Sequence, residues 1–437
     1  MFNQPLGNSL STLNNLRKLF FGKYFNNDNK SLNGSLSTLT NLEILIFNND
    51  FNQPLGNSFK ELTSLKELTF GEKFNNNDQP LETSLSTLIN LEQLNFFGKQ
   101  FKQSFGTSLN KLQQLTINNN EHLCISLNTL TNLQKLTLNN EFNLSLGNSL
   151  KELINLKELI FGNEFNLSLG NSLKELTSLK KLTFGYYFNN NNQPLETPFS
   201  TLINLEQLTF GNRFDQSLSD SLKELTNLKE LTIDYYFNKP FDDSLSTLIS
   251  LQKLTCSIKI IKLFNNSLKI PSSLQQLNLF SNEYIGTSLS TLIDLKELTF
   301  NFFNKSIDDS LKELTSLQKL TFDYEFNNNN QPLGNSLKTL TSLKELIFGK
   351  KFNLPLDNSL STLYNLQKID FGSFNKPLGT SLCLLTNLKE LIFGYNFKQP
   401  FGDSLNTLTN LQTIKLNEDY NISISDNLKK YIIYRII

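Results

Sequence analysis

The sequence contains no alanine, no valine and no tryptophan, and only one histidine, one methionine and three cysteines among its 437 residues. Each shortage removes a class of function. General acid–base work near neutral pH draws most often on histidine, and His122 is the sole candidate. Cys124, Cys256 and Cys383 are odd in number, far apart and without a C-x-x-C spacing, so neither a disulfide framework nor a zinc site is expected. A surplus of one charge is also missing. Lys plus Arg equals Asp plus Glu at 40 each, which leaves no basic excess to displace counterions from a nucleic-acid backbone. No apolar run approaches the roughly 18 residues needed to span a bilayer. The opening MFNQPLGNSL has neither the basic nor the apolar region of a secretory signal. The expectation is a soluble intracellular protein, without nucleic acid, membrane, metal or cofactor.

Asn, Leu, Phe, Lys, Ser and Thr dominate what is there. Length alone predicts two to four globular domains, but repetition overrides that prior. FNQPLG at Phe2 returns at Phe51, and related octets follow at Gln331 and Phe374. A Ser-Leu pair recurs at a commonest step of 23 residues, as from Ser149 to Ser172. Longer steps carry an Asn-rich insert such as FNNNNQPLG at Phe326.

A typical unit reads SLKELTSLKKLTFG from Ser172 to Gly185, then FNNNNQPLET. Its apolar residues Leu173, Leu176, Leu179 and Leu182 are three apart, and Phe184 follows at a step of two. The step of two marks a short strand, with Leu182 and Phe184 on one side and Thr183 on the other. The threes suit a short helical or 3-10 turn. Ser172/Glu175, Ser149/Glu152, Ser221/Glu224 and Ser310/Glu313 have the S-x-x-E spacing of a capping box at a helix start. One such unit cannot bury its apolar face alone, so units must stack.

LTSLKKLTF (Leu176 to Phe184) and LTNLKELIF (Leu385 to Phe393) resemble the LxxLxL core of leucine-rich repeats. The FGxxFNQPL pattern, with FNQPL at Phe2 and Phe51, FNLPL at Phe352 and FNKPL at Phe374, resembles the FNIP repeats of amoebae and the giant DNA viruses that infect them. The resemblance implies an α/β repeat fold: a leucine-rich-repeat-type solenoid of about eighteen units over 1–417, a curved parallel β-sheet on its inner face, short helical or 3-10 turns and loops outside, and a capping segment at 418–437. The Asn usual at the ninth position of the leucine-rich motif is mostly missing. Instead an Asn follows a Phe, as at Phe165-Asn166, Phe188-Asn189, Phe237-Asn238 and Phe352-Asn353. These Asn side chains are expected to hydrogen-bond backbone at the tight turn, and the Phe to form a second apolar column.

Aligned strands stack one position as Lys135, Glu158, Lys181, Gln207, Glu230, Lys253, Gln276, Glu297, Lys319, Glu345, Lys368 and Glu390, with no like charges adjacent. That is a self-neutralising ladder. The next outward column is rich in Thr, broken by Ile160, Asn278 and Ile347, which disfavours a regular lattice-binding array. At the strand exits stand Tyr186, Tyr187, Tyr235, Tyr236, Tyr324 and Tyr395. Tyrosine offers wide contact at low entropic cost, so these are the candidate partner-binding residues; the plainer reading packs each on a neighbouring return loop. His122 and Cys124 suggest a nucleophile and base, alternating on an extended segment, but no third orienting group accompanies them. No phosphate loop, GxSxG elbow or HExxH occurs.

Residues 1 to 8 supply only a return loop, which leaves three explanations open: a start further upstream, a covering partner or second copy, or a loop that caps well enough. At the other end Ile432, Ile433, Ile436 and Ile437 are expected to cover the last unit. The functional expectation is a non-enzymatic protein-interaction module for an unidentified protein partner. A structural or self-associating array component is the alternative. FNIP-repeat proteins often carry an F-box-like segment, so a ubiquitin-ligase adaptor arm lacking that segment stands behind both. The expected location, from the missing signal and spanning segments, is cytoplasmic, and the host's cytoplasm if, as the resemblance allows, the source is viral.

Overall fold

Leucines three residues apart drift about 60° per step on an α-helix, so three steps carry a side chain to the opposite side. At three residues per turn they stay in line. The computed structural model takes the second solution. In the unit from Ser172, the Leu176 N–H donates to Leu173 O and the Leu179 N–H to Leu176 O, both at 3.0 Å, and all of Leu173, Leu176, Leu179 and Leu182 are buried. This corrects the capping-box reading. Ser149, Ser172, Ser221 and Ser310 open chains of i→i+3 turns and begin no helix. The Ser172 hydroxyl donates to Gly147 O of the preceding unit at 3.1 Å, as Ser404 does to Gly379 O at 2.7 Å.

The structure describes residues 3–75, 81–99, 105, 109–189, 199–218, 221–239, 244–257, 259, 270–280 and 282–435. The aligned starts at Ser108, Pro198 and Ser267, and the apolar residues Phe2, Ile436 and Ile437, lie outside them. The chain divides into two compact units, Met1–Leu228 and Lys229–Ile437. Each is a leucine-rich-repeat-type parallel solenoid.

The first unit contains β1 (Lys18–Phe20), β2 (Ile44–Ile46), β3 (Glu67–Phe70), β4 (Gln93–Phe96), β5 (Gln114–Ile117), β6 (Lys135–Leu138), β7 (Glu158–Phe161), β8 (Lys181–Thr183) and β9 (Gln207–Phe210). The second contains β10 (Glu230–Ile233), β11 (Lys253–Ser257), β12 (Gln276–Phe280), β13 (Glu297–Asn301), β14 (Lys319–Phe322), β15 (Glu345–Ile347), β16 (Lys368–Asp370), β17 (Glu390–Ile392), β18 (Thr413–Asn417) and β19 (Ile432–Arg435). Within each unit successive strands pair in parallel and in step, Leu136 beside Leu159 beside Leu182, and Leu298 beside Leu320 beside Leu346. A register slip of one residue would turn every leucine to solvent, so the repeat fixes the pairing.

Phenylalanines build two further columns inside. Within a rung the pair is close, 4.0 Å between the rings of Phe184 and Phe188 and 3.9 Å for Phe348 and Phe352. Between rungs the rings continue nearly parallel, Phe165 to Phe188 at 5.9 Å and Phe188 to Phe214 at 6.0 Å. A glycine column makes this closeness possible. A Cβ on Gly162 would lie 2.1 Å from Asn139 O, on Gly185 2.2 Å from Gly162 O, and on Gly349 1.8 Å from Asp323 O. No side chain fits where backbone meets backbone.

The Asn after each Phe does bond backbone, but across rungs rather than within its own turn. Asn143 Oδ1 accepts the Asn166 N–H at 3.1 Å, and Asn166 Oδ1 accepts the Asn189 N–H at 2.8 Å. In the second unit Asn327 Oδ1 accepts from Asn353 N at 2.9 Å and Asn353 Oδ1 from Asn375 N at 2.8 Å. Two of the Asn-rich inserts, at 27–29 and 328–330, have a separate cause. Asn328, Asn329 and Asn330 have φ of 47°, 51° and 59°, and Asn27, Asp28 and Asn29 have 50°, 50° and 59°. Three successive left-handed residues favour Asn and Asp, whose short polar side chains offset the strain. Asn328 is buried: its Oδ1 accepts from Ile307 N at 3.0 Å, and its Nδ2 donates to Gln331 O and Pro332 O at 2.8 and 3.1 Å.

The C-terminal segment adds a short helix, α1 (Asp426–Lys429), and β19. β19 extends the sheet beside β18, with Ile432 opposite Ile414. Leu428 is buried, while Ile433 and Tyr434 remain exposed, so the segment meets the β18 edge through its backbone more than through these side chains.

Candidate functional site

The outward face of the sheet carries two columns, and the first is largely spent on itself. Lys135 and Lys181 flank Glu158 at 2.9 and 3.2 Å, and Lys368 and Lys415 flank Glu390 at 3.3 and 2.5 Å. Burial raises the pKa of both carboxyls, but the lysine hydrogen bonds and charges outweigh it and hold each below its ordinary value. At the strand entrance of the first unit a polar groove of about 510 Å³ is lined by Asn90, Lys111, Asn132 and Asn155 among others. Its amides are also committed: Asn90, Asn132 and Asn155 each donate to a carbonyl of the preceding rung. Neither surface leaves much for a ligand.

The second unit has a different groove at the strand exits, of about 700 Å³. Its floor is Thr299, Thr321, Ile347 and Asp370, continued by Asn301, Asp323, Gly349, Gly372 and Gly394; Tyr324, Lys350, Ser373 and Tyr395 stand along its rim. The glycines that let rungs close together also leave this floor bare. Tyr324 and Tyr395 are 50% and 55% exposed. The Lys351 ammonium lies 5.5 Å from the Tyr324 ring centre and pairs with Glu325 at 2.6 Å, which steadies that ring.

Of the six tyrosines singled out from the sequence, the structure gathers two, Tyr324 and Tyr395, around this groove. Tyr186 and Tyr187 belong to the first unit, where they meet edge-on at 4.8 Å with the Arg213 guanidinium 5.8 Å from Tyr186. Tyr235 and Tyr236 meet likewise at 5.2 Å, and Tyr235 also reaches Phe302 at 6.4 Å. Phe302 went unrecognised in the sequence. It is 55% exposed with a φ of 58°, rare for a bulky residue. The signal was the shortened FNFFN, one residue less between the strand and the second phenylalanine than in TFDYEFN. Asp370 was missed too, as a break in the Thr column.

His122 and Cys124 lie on a short helix, Glu121–Ser126, instead of an extended segment. Two residues apart on a helix they point to different sides. Cys124 is buried, and that burial, with Glu121 nearby, pushes its thiol up to about 12; it is no thiolate nucleophile. Among the described residues no group of His, Cys, Asp and Glu is placed to hold a metal ion, and no helix is long and apolar enough to cross a membrane.

No family model matches the chain, and no curated protein matches it. Solved structures do. CroV588, a novel circular leucine-rich-repeat protein, is similar over 99% of this chain and 68% of its own, at 23% identity and a TM-score of 0.64. A leucine-rich-repeat protein of Leptospira interrogans is similar over 76% of this chain and 86% of its own, at 21% identity and a TM-score of 0.56. Mouse RP105, solved in complex with MD-1, is similar over 92% of this chain and 67% of its own, at 17% identity and a TM-score of 0.54. At these identities the likeness shows the leucine-rich-repeat fold.

Proposed function

We propose that this chain is a non-enzymatic protein-interaction module and that the groove of the second unit is part of its docking surface. One observation carries the reading. The other polar columns of the sheet face are largely occupied by partners from neighbouring rungs, whereas this groove sets two exposed tyrosines beside a bare glycine floor. Large aromatic contacts next to accessible backbone suit an extended segment of a partner. RP105, with the same fold, is a protein seen with a protein bound. Membership of the FNIP class is part of the proposal and rests on the FNQPL-type motifs. So is an intracellular setting, supported by three free cysteines.

The test is a pair of double variants, Tyr324→Ser with Tyr395→Ser and Tyr186→Ser with Tyr187→Ser, assayed for partner capture from the source cell with circular dichroism as the folding control. Selective loss in the first variant supports the groove. Capture unchanged in the first and lost in the second would move the surface to the first unit.

A further inference from the structure

Asp370 breaks the chemistry of its column. The equivalent residues on the two strands beside it, in register, are Ile347 and Ile392, and Thr321 stands one rung further on. A carboxylate half-buried between isoleucines is costly unless something compensates it. The Asp370 Oδ1 accepts the Gly372 N–H at 3.0 Å, which ties down the glycine's left-handed turn with φ of 56°. Its second oxygen has no partner among the described residues. Asp323, also in the floor, holds no ion pair among them either. Three lysines of the neighbouring strands are engaged elsewhere: Lys319 with Glu345, and Lys368 and Lys415 with Glu390. Lys350, on the rim, is exposed.

Stability of the fold therefore does not account for the open carboxylate oxygens. Building on the docking reading above, we propose that the groove takes an extended peptide segment bearing a basic side chain, arginine or lysine, whose charged head meets Asp370. Ile347 offers apolar surface to the aliphatic stem of that side chain, and Tyr324 and Tyr395 offer ring faces and edges to the flanking residues. The glycine floor lets the peptide backbone approach closely. Asp323, two rungs from Asp370 and nearer the rim, lies where a second basic residue of the segment would pass.

The probe is a set of fluorescent ten-residue peptide pools, random except for one central residue fixed as Arg, Lys, Gln, Glu or Leu, titrated against the full chain. The expected result is about tenfold tighter binding of the Arg and Lys pools than of the Gln pool, shrinking in 0.5 M salt as an ion pair should. Asp370→Asn keeps the acceptor that Gly372 needs, so it preserves the turn; it is expected to erase the preference while binding of the Gln pool persists. An unchanged Arg preference in Asp370→Asn overturns the inference. Equal binding of all pools, or of none, does so as well. The docking reading fails separately, if the Tyr324→Ser, Tyr395→Ser double variant binds every pool as the unaltered chain does.

Discussion

Two glycines of the first unit should respond very differently to alanine. At Gly185 the added Cβ would stand 2.2 Å from Gly162 O, 2.4 Å from its carbonyl carbon and 2.6 Å from Asn163 Cα, where ordinary contact begins near 3.4 Å. Two rungs must separate by about 1 Å at that point, and no flexible side chain is there to yield. The same separation opens the stack in which Phe184 meets Phe161 at 5.0 Å and Phe188 meets Phe165 at 5.9 Å. Overpacking usually costs 1–3 kcal/mol, and with backbone on both sides Gly185→Ala should cost about 3 kcal/mol or more. Gly147 has a φ of 48° with nothing within 4 Å of its Cβ position. There alanine meets only the left-handed penalty, about 1 kcal/mol. Urea titrations of both variants followed by circular dichroism give the two values. Hydrogen exchange should place the Gly185→Ala loss on the rungs of β7, β8 and β9, because in a stack each rung couples to its neighbours. Equal costs, or a larger cost at Gly147, would refute the claim that backbone contact between rungs sets this column.

Three further outcomes follow from the same geometry. Asn166→Ala removes the acceptor for the Asn189 N–H and should cost about 1–2 kcal/mol in urea titration, while Asn166→Asp, which keeps an oxygen there, should cost much less. Asn328→Ala strands the Ile307 N–H and two carbonyls and should cost about 2–3 kcal/mol, whereas Asn329→Gly, at φ of 51°, should be neutral or stabilising by thermal melting. Glu158 has its folded pKa held below the ordinary 4.5 by Lys135 and Lys181 against the opposing effect of burial. Its contribution is therefore present above the unfolded pKa and lost as pH falls through the folded one. Acid titration of stability should be flatter in Lys135→Met, Lys181→Met than in the unaltered chain.

Much of the fold was legible because it repeats. The alternation of Lys135, Glu158 and Lys181 foretold the register that the paired strands show, and the recurring Leu and Phe foretold the core. The capping box failed because S-x-x-E is a local signal, whereas leucines three apart impose turns that an α-helix cannot supply. The Asn residues were rightly tied to backbone, but their partners lie on the next rung, some 23 residues away, beyond any local reading. The glycine column was visible in every LTFG and LIFG; its reason, contact with the preceding carbonyl, was not. At the groove, tyrosine at the strand exit pointed to Tyr324 and Tyr395 but equally to Tyr235 and Tyr236, which do not line it. Asp370 and Phe302 are departures from the repeat, and such departures carry meaning only once the columns are known.

The proposed docking surface is tested most directly by a photo-cross-linking residue placed at Ser373, on the groove, and in a second variant at Thr386, exposed on the turn side of the next rung. In the source cell a discrete protein adduct is expected from position 373 and none from 386. An adduct from 386 alone would contradict the proposal.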